Sequence, residues 1–238
     1  MLTKKEFEDL WKKHFAKLTS ASMPSYTGYC SLFKCYLEYL KHFSGREVRY
    51  ILVAEAPPVG GAYVYNYKFP AGLNTPYFNQ VVKAFGIENK SKLNEDNAEI
   101  ILKELAKKGV LILDLFPFAI KYTTSFRKKL ASFGVLKEFW DGPDYSIKTQ
   151  IEDLCTKYKI KLHREWDLCL IAPKTISNYI VSHFAALVIK PCGIGIHNNT
   201  TFHALCPHPL RNSDWKKVAV SKSGFPNATL IKTAFDIK

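Results

Sequence analysis

RYILVAEAPPVGGAYVYNYKF, residues 49–69, reads as a buried strand that runs out into a loop suited to meeting a ligand. Tyr50, Ile51, Leu52, Val53 and Ala54 form an apolar run too short for a helix of its own. Such a run fits a strand covered on both faces of a parallel sheet. Glu55 sets a carboxylate at the strand's end. Pro57 and Pro58 stop the strand, because proline brings no N–H to a ladder. Gly60 and Gly61 allow the backbone to approach a ligand closely. Tyr63, Tyr65, Tyr67 and Phe69 follow, and each offers an aromatic face. In open α/β sheets ligands bind beyond the carboxyl ends of the strands, where this loop lies. The plainer reading of the same residues is a strand ending in an exposed glutamate, with tyrosines covering the sheet.

Working outward, the pattern on both sides is α/β. Thr3, with Glu6 three residues on, is a capping box for a helix over 3–18, whose apolar stripe is Phe7, Leu10, Trp11, Phe15 and Leu18. A second helix over 28–43 turns Leu32, Tyr36, Tyr39, Leu40 and Phe43 inward. Beyond the loop, Pro76 opens a helix that Gly86 closes. A helix over 94–107, with Ile100, Ile101, Leu102 and Leu105 expected inside, leads back to a strand over 110–115 that carries Asp114 near its end. Residues 125–140 read as one helix with a basic face of Arg127, Lys128 and Lys129, and 143–159 as another. A third strand over 166–172 precedes a helix opened by Pro173, with Lys174 in its first turn. A fourth strand over 201–206 runs into PHPLRN, and helices over 213–220 and 227–235 close the chain. CGIGIHNN, residues 192–199, reads as a loop or short hairpin. Strand, helix and strand in alternation predict a three-layer α/β/α fold on a four-stranded parallel sheet. The expected organisation is one domain over 1–238, with a helical hairpin in 1–45 and the sheet and its covering helices in 46–238.

The 238 residues are 47% hydrophobic, enough for a sizeable core, and 34 Lys plus Arg against 21 Asp plus Glu give a formal net charge of +13. Such an excess points to a polyanionic partner, most simply nucleic acid. No lipidation motif or basic amphipathic anchor suggests a membrane surface instead. The six cysteines form no CxxC pair and read as reduced, mostly core residues. The N-terminal sequence has no signal-peptide core, and no run reaches the roughly 18 apolar residues of a membrane helix. The expectation is a soluble intracellular protein: cytoplasmic, nucleoid-associated if bacterial, nuclear if eukaryotic. No His/Cys/Asp cluster has metal-ligand spacing, so neither metal nor cofactor is expected.

HPLRN, residues 208–212, follows the fourth strand as AEAPP, residues 54–58, follows the first. Two parallel strands of one sheet then present a carboxylate and an imidazole on the same rim. Together the two motifs resemble those of the uracil-DNA glycosylase superfamily, which carries a G-E-A-P-G motif or variant after its first strand. A motif of the form H-P-S-P-R-N or H-P-S-x-L follows its last. The resemblance covers roughly residues 48–215. This chain has Ala54 where that first motif begins with glycine, Pro58 where it ends with one, and Leu210 where serine is common. Asp114 stands where a base-reading asparagine is expected. Members with G-E-A-P-G often hold an iron–sulfur cluster through four cysteines. Cys30 and Cys35 have four residues between them rather than two, so no cluster is expected here.

The resemblance implies a monofunctional DNA glycosylase that hydrolyses the N-glycosidic bond of uracil or a related damaged base flipped out of DNA. In that role an ionised Glu55 orients water and stabilises the cationic sugar, while a neutral His208 donates a hydrogen bond to the leaving base. The backbone at Ala56 contacts a base carbonyl. Phe69 stacks on the base, with Tyr65 and Tyr67 as competing candidates. Leu210 and Arg211 enter the gap left by the flipped base, next to Asn212. Lys174 meets a phosphate at a helix N-terminus, or is simply a solvated lysine. Asp114 reads the base edge. An ionised aspartate offers acceptors only, whereas uracil shows a donor at N3 and an acceptor at O4. So Asp114 is protonated, or uracil is not the preferred base, or the side chain points away. The competing expectation is a glycosylase-like protein that grips nucleic acid with weak or no cleavage.

Overall fold

The computed structural model describes residues 1–60, 63–66, 76–87, 95–173, 175–176, 179–180, 202–205, 228–235 and 237. Helix α1 is Lys4–His14 and α2 is Tyr26–Leu40, which a 3₁₀ turn, Lys41–Phe43, extends to strand β1, Glu47–Ala54. Helices α3, Pro76–Ala84, and α4, Glu95–Lys107, lead to β2, Val110–Asp114. Then come α5, Thr124–Ser132, α6, Val135–Asp141, and α7, Ile147–Thr156, followed by β3, Lys161–Ile171, β4, Phe202–Leu205, and α8, Ala228–Ala234. The expected capping box at Thr3 and Glu6 is present at the start of α1.

The four strands are parallel, in the order β2-β1-β3-β4. The chain steps from β1 to β2 on one side and then crosses to β3 on the other, so its direction of growth reverses between β1 and β3. Ile51, Leu52 and Val53 are fully buried in succession, as are Leu111 to Leu113 and Leu168 to Leu170. Successive side chains of a strand point to opposite faces, so both faces of the sheet are covered. On one face, Tyr50 of β1 meets Phe85, just past α3, and Phe235, just past α8. The fold is therefore α/β with an open parallel sheet.

Three expectations about elements are corrected. Residues 125–140 form two helices rather than one, because Gly134 takes the left-handed conformation (φ 70°) and breaks the helical run. Ile100 is 59% exposed, whereas Ala98, Ile101, Leu102 and Leu105 face in. Those four recur at the spacing of one helix face, and position 100 falls on the other side. Strand β3 begins five residues before the expected start. Lys161 and Leu162 pair with Glu47 and Val48, after which residues 163–166 bulge against Arg49 before pairing resumes at Asp167. The expected helix over 213–220 and the segment 192–199 lie outside the described residues.

Among the described residues no helix is long and apolar enough to cross a membrane, and no group of His, Cys, Asp and Glu side chains is arranged to hold a metal ion.

Candidate functional site

The ends of β1 and β2 stay laced together past the sheet. Ala54 pairs with Asp114, the Leu115 N–H donates to the Ala54 carbonyl at 2.9 Å, and the Phe116 N–H donates to the Glu55 carbonyl at 3.0 Å. The backbone under Glu55 is thus fixed before the prolines begin. Phe116 and Phe118 then anchor the stretch after β2 in an aromatic cluster around Phe15, which meets Phe118 at 4.7 Å, Phe116 at 5.5 Å and Phe126 at 5.6 Å. Phe126 belongs to α5, so the same cluster sets the position of that helix. The Thr123 hydroxyl caps the helix by accepting from the Phe126 N–H.

Arg127, next on α5, turns inward to Glu55. Its Nε donates to Oε1 and its Nη2 to Oε2, each at 2.6 Å, a two-point fork between side chains only 17% and 16% exposed. Burial raises the Glu55 carboxyl above its ordinary range, and the Arg127 hydrogen bonds and charge offset part of that rise. Arg127 was expected as part of a basic face of its helix, with Lys128 and Lys129. Lys128 and Lys129 are exposed, but position 127 borders the apolar face made by Phe126 and Leu130. That flanking position was the available sign.

Asp114 takes the opposite side. It pairs with Ala54, one step before Glu55, and neighbouring residues along an extended chain face opposite ways. Asp114 lines a cavity of about 370 Å³ together with Tyr36, Pro57, Tyr63, Tyr145 and Gln150. Glu55 is not part of that lining, so the two carboxyls expected to act on one ligand are separated by the β1 exit loop. Ala56, half-buried, and Pro57, in the lining, connect them. Asp114 is 9% exposed; burial pushes its carboxyl up to about 7, against the pull of a hydrogen bond from the Tyr63 hydroxyl. Its backbone carbonyl accepts from Gln150 Nε2 at 3.0 Å.

Tyr65, a candidate to stack on a base, is buried and bonds the edge of β2. β2 is an edge strand, and since Leu115 points its N–H to β1, residues 110, 112 and 114 turn their polar groups outward. The Tyr65 hydroxyl donates to the Ile112 carbonyl at 2.8 Å and accepts from the Ile112 N–H at 2.6 Å. Tyr39 donates to the Val110 carbonyl at 2.6 Å, and the two rings stack at 4.3 Å. With Gln150 on Asp114, three side chains satisfy the outward carbonyls of this edge and keep it from pairing with another strand.

Tyr67, Phe69, Lys174, His208, Leu210, Arg211 and Asn212 lie outside the described residues. β4 runs parallel to β1, so the chain leaves it at the same rim shortly before His208. Sequence reasoning missed Arg127, Tyr36, Tyr145 and Gln150 as site residues, and it named Tyr63 without giving it a role. Compared with protein-family models, curated proteins and solved structures, the chain matches none. Fold and site together describe an α/β protein with a forked ion pair on one side of its β1 loop and a buried carboxyl in a tyrosine-lined cavity on the other.

Proposed function

We propose that the chain is a DNA base glycosylase of the three-layer uracil-DNA glycosylase type, and that a flipped base enters the cavity beside Asp114. The observation that carries this reading is the placement of Asp114. A nine-tenths buried carboxyl closes a cavity large enough for a nucleobase, at the carboxyl rim of a parallel sheet and under the AEAPP loop. Duplex DNA hides its bases, so cleavage requires the nucleotide to swing out into such a cavity. The basic excess supplies the phosphate attraction. In this reading the sugar lies toward the β1 exit loop that separates the cavity from Glu55; Glu55 stabilises positive charge there and orients water, with Arg127 offsetting part of the rise that burial imposes on its carboxyl, and His208 donates to the leaving base.

The second reading is a nucleic-acid-binding module that does not cleave. The Glu55–Arg127 fork favours it, because both carboxylate oxygens are already engaged and a cation beside the carboxylate weakens its pull on a cationic sugar. Incubating the chain with oligonucleotides that carry uracil, hypoxanthine or xanthine, then cleaving abasic sites with alkali, separates the two. The glycosylase reading expects strand breaks that Glu55→Gln and His208→Ala abolish with DNA binding retained. Intact strands with every base, at undiminished DNA binding, leave the binding module.

A further inference from the structure

The cavity beside Asp114 is acidic, in a chain whose formal net charge is +13. Five carboxylates line it, from Glu6, Asp114, Asp144, Glu152 and Asp153, against Lys157 and the Met1 amino group. Three of these acids have partners nearer the surface. Glu6 accepts from the Thr3 N–H at 2.6 Å, Asp144 faces Lys13 at 3.5 Å, and Asp153 faces Lys157 at 3.9 Å. Asp114 is the deep one. The Tyr63 hydroxyl is the one donor its carboxyl meets among the described residues. A carboxylate offers about four lone-pair sites, so most of its accepting capacity is left to whatever enters the cavity.

Tyr36 points to a guest independently of the acids. It is 8% exposed and lines the cavity, and its hydroxyl has no hydrogen-bond partner among the described residues. A hydroxyl that lines the cavity is placed to bond a polar guest there. Tyr145 lines the same cavity, also with no hydrogen-bond partner for its hydroxyl among the described residues. Tyrosine rings attract cations through the negative charge on their faces.

We propose that this cavity binds a planar heteroaromatic cation that donates hydrogen bonds to Asp114, as a ring-N-alkylated, amino-bearing nucleobase does, in preference to neutral uracil. An ionised Asp114 accepts from an amino group and neutralises the ring's charge. Uracil sets a carbonyl oxygen beside its N3 donor and so brings an acceptor against an acceptor. The tyrosine walls favour the cation again, and the remaining acids of the lining draw it in. That the ring comes from DNA rests on the glycosylase reading; the binding preference does not.

The test titrates the full chain calorimetrically with two rings of similar size, the 1,3-dimethylcytosinium cation and 1-methyluracil, at mildly alkaline pH so that Asp114 is charged. The cation is expected to bind at least about tenfold more tightly, the worth of one charge-assisted hydrogen bond. Asp114→Asn should remove that preference, and Tyr36→Phe should weaken the cation by about threefold, the worth of one neutral hydrogen bond. Equal or tighter binding of 1-methyluracil, or no binding of the cation, overturns the proposal. The wild-type comparison needs no variant, so it decides even if Asp114→Asn does not fold. It also needs no DNA and no turnover. A chain that binds the cation yet releases no base from any oligonucleotide, alkylated ones included, sinks the glycosylase reading alone. One that releases uracil and binds 1-methyluracil more tightly sinks this proposal alone.

Discussion

At the scale of single residues, two carboxyls one step apart in register meet opposite fates. Glu55 is met by a cation at two points, whereas Asp114 is met by a phenol and an open cavity. Removing Arg127 would leave a mostly buried carboxylate unpaired. Arg127→Ala is therefore expected to cost about 2–3 kcal/mol in urea unfolding, somewhat below a fully buried pair because solvent reaches both side chains. Adding Glu55→Gln should recover part of that loss; strictly additive costs would mean the fork contributes nothing. Asp114 gives a pH signature. Its folded value of about 7 lies above its usual 3.8, so the native state holds a proton that the unfolded chain has released. Its contribution is fully present below about pH 4 and is lost as pH rises to about 7, up to roughly 4 kcal/mol in all. Asp114→Asn does not titrate. Its stability relative to the wild type should therefore rise between pH 4 and 7 and level off above that, as unfolding curves at several pH values would record. A flat difference would show that Asp114 keeps an ordinary carboxyl.

At the scale of elements, the edge of β2 is the feature with most at stake. Tyr39, Tyr65 and Gln150 each reach it from a different element: α2, the β1 loop and α7. Tyr65 satisfies both polar groups of Ile112, so Tyr65→Phe leaves an N–H and a carbonyl without their partner. The expected cost is about 1–3 kcal/mol. The Ile112 amide should exchange its hydrogen markedly faster, while any base release continues. Loss of base release with unchanged Ile112 exchange would return Tyr65 to the ligand. The break between α5 and α6 acts at the same scale. It ends α5 after Ser132, so the short helix bearing Arg127 is oriented by Phe126 and the cluster around Phe15.

At the scale of the whole molecule, charge is divided by place. The chain is strongly basic in total, yet the charged residues lining the cavity at its sheet rim are mainly acids. On the proposed readings the basic excess attracts a polyanion while the cavity takes a cationic guest, phosphates outside and a ring inside. Binding to a DNA 20-mer is expected to be independent of sequence and to weaken steeply with salt, since each phosphate contact releases counterions. Anisotropy titrations at low and at physiological salt would check this. An affinity that does not move between them would remove the nucleic-acid reading altogether.

Features under local chemical control were legible in the sequence. The apolar runs at 50–54, 110–115 and 166–172 announced buried parallel strands, because only a strand covered on both faces has no polar alternation. Thr3 with Glu6 announced the start of α1, and proline and glycine marked the ends of α3. Glu55 and Asp114 were legible as carboxyls at strand ends. What they face was not. The register of Ala54 with Asp114 sends one carboxyl to α5 and the other to the cavity, and register is a pairing between segments some sixty residues apart. Tyr65 looked like a ligand's stacking partner because composition cannot distinguish a tyrosine facing a guest from one satisfying an edge strand. That distinction needs the strand order. Arg127 looked like one of three surface cations until the aromatic cluster fixed how its helix is turned. Tertiary structure alone decided these matters, because each depends on which distant group lies within hydrogen-bond reach.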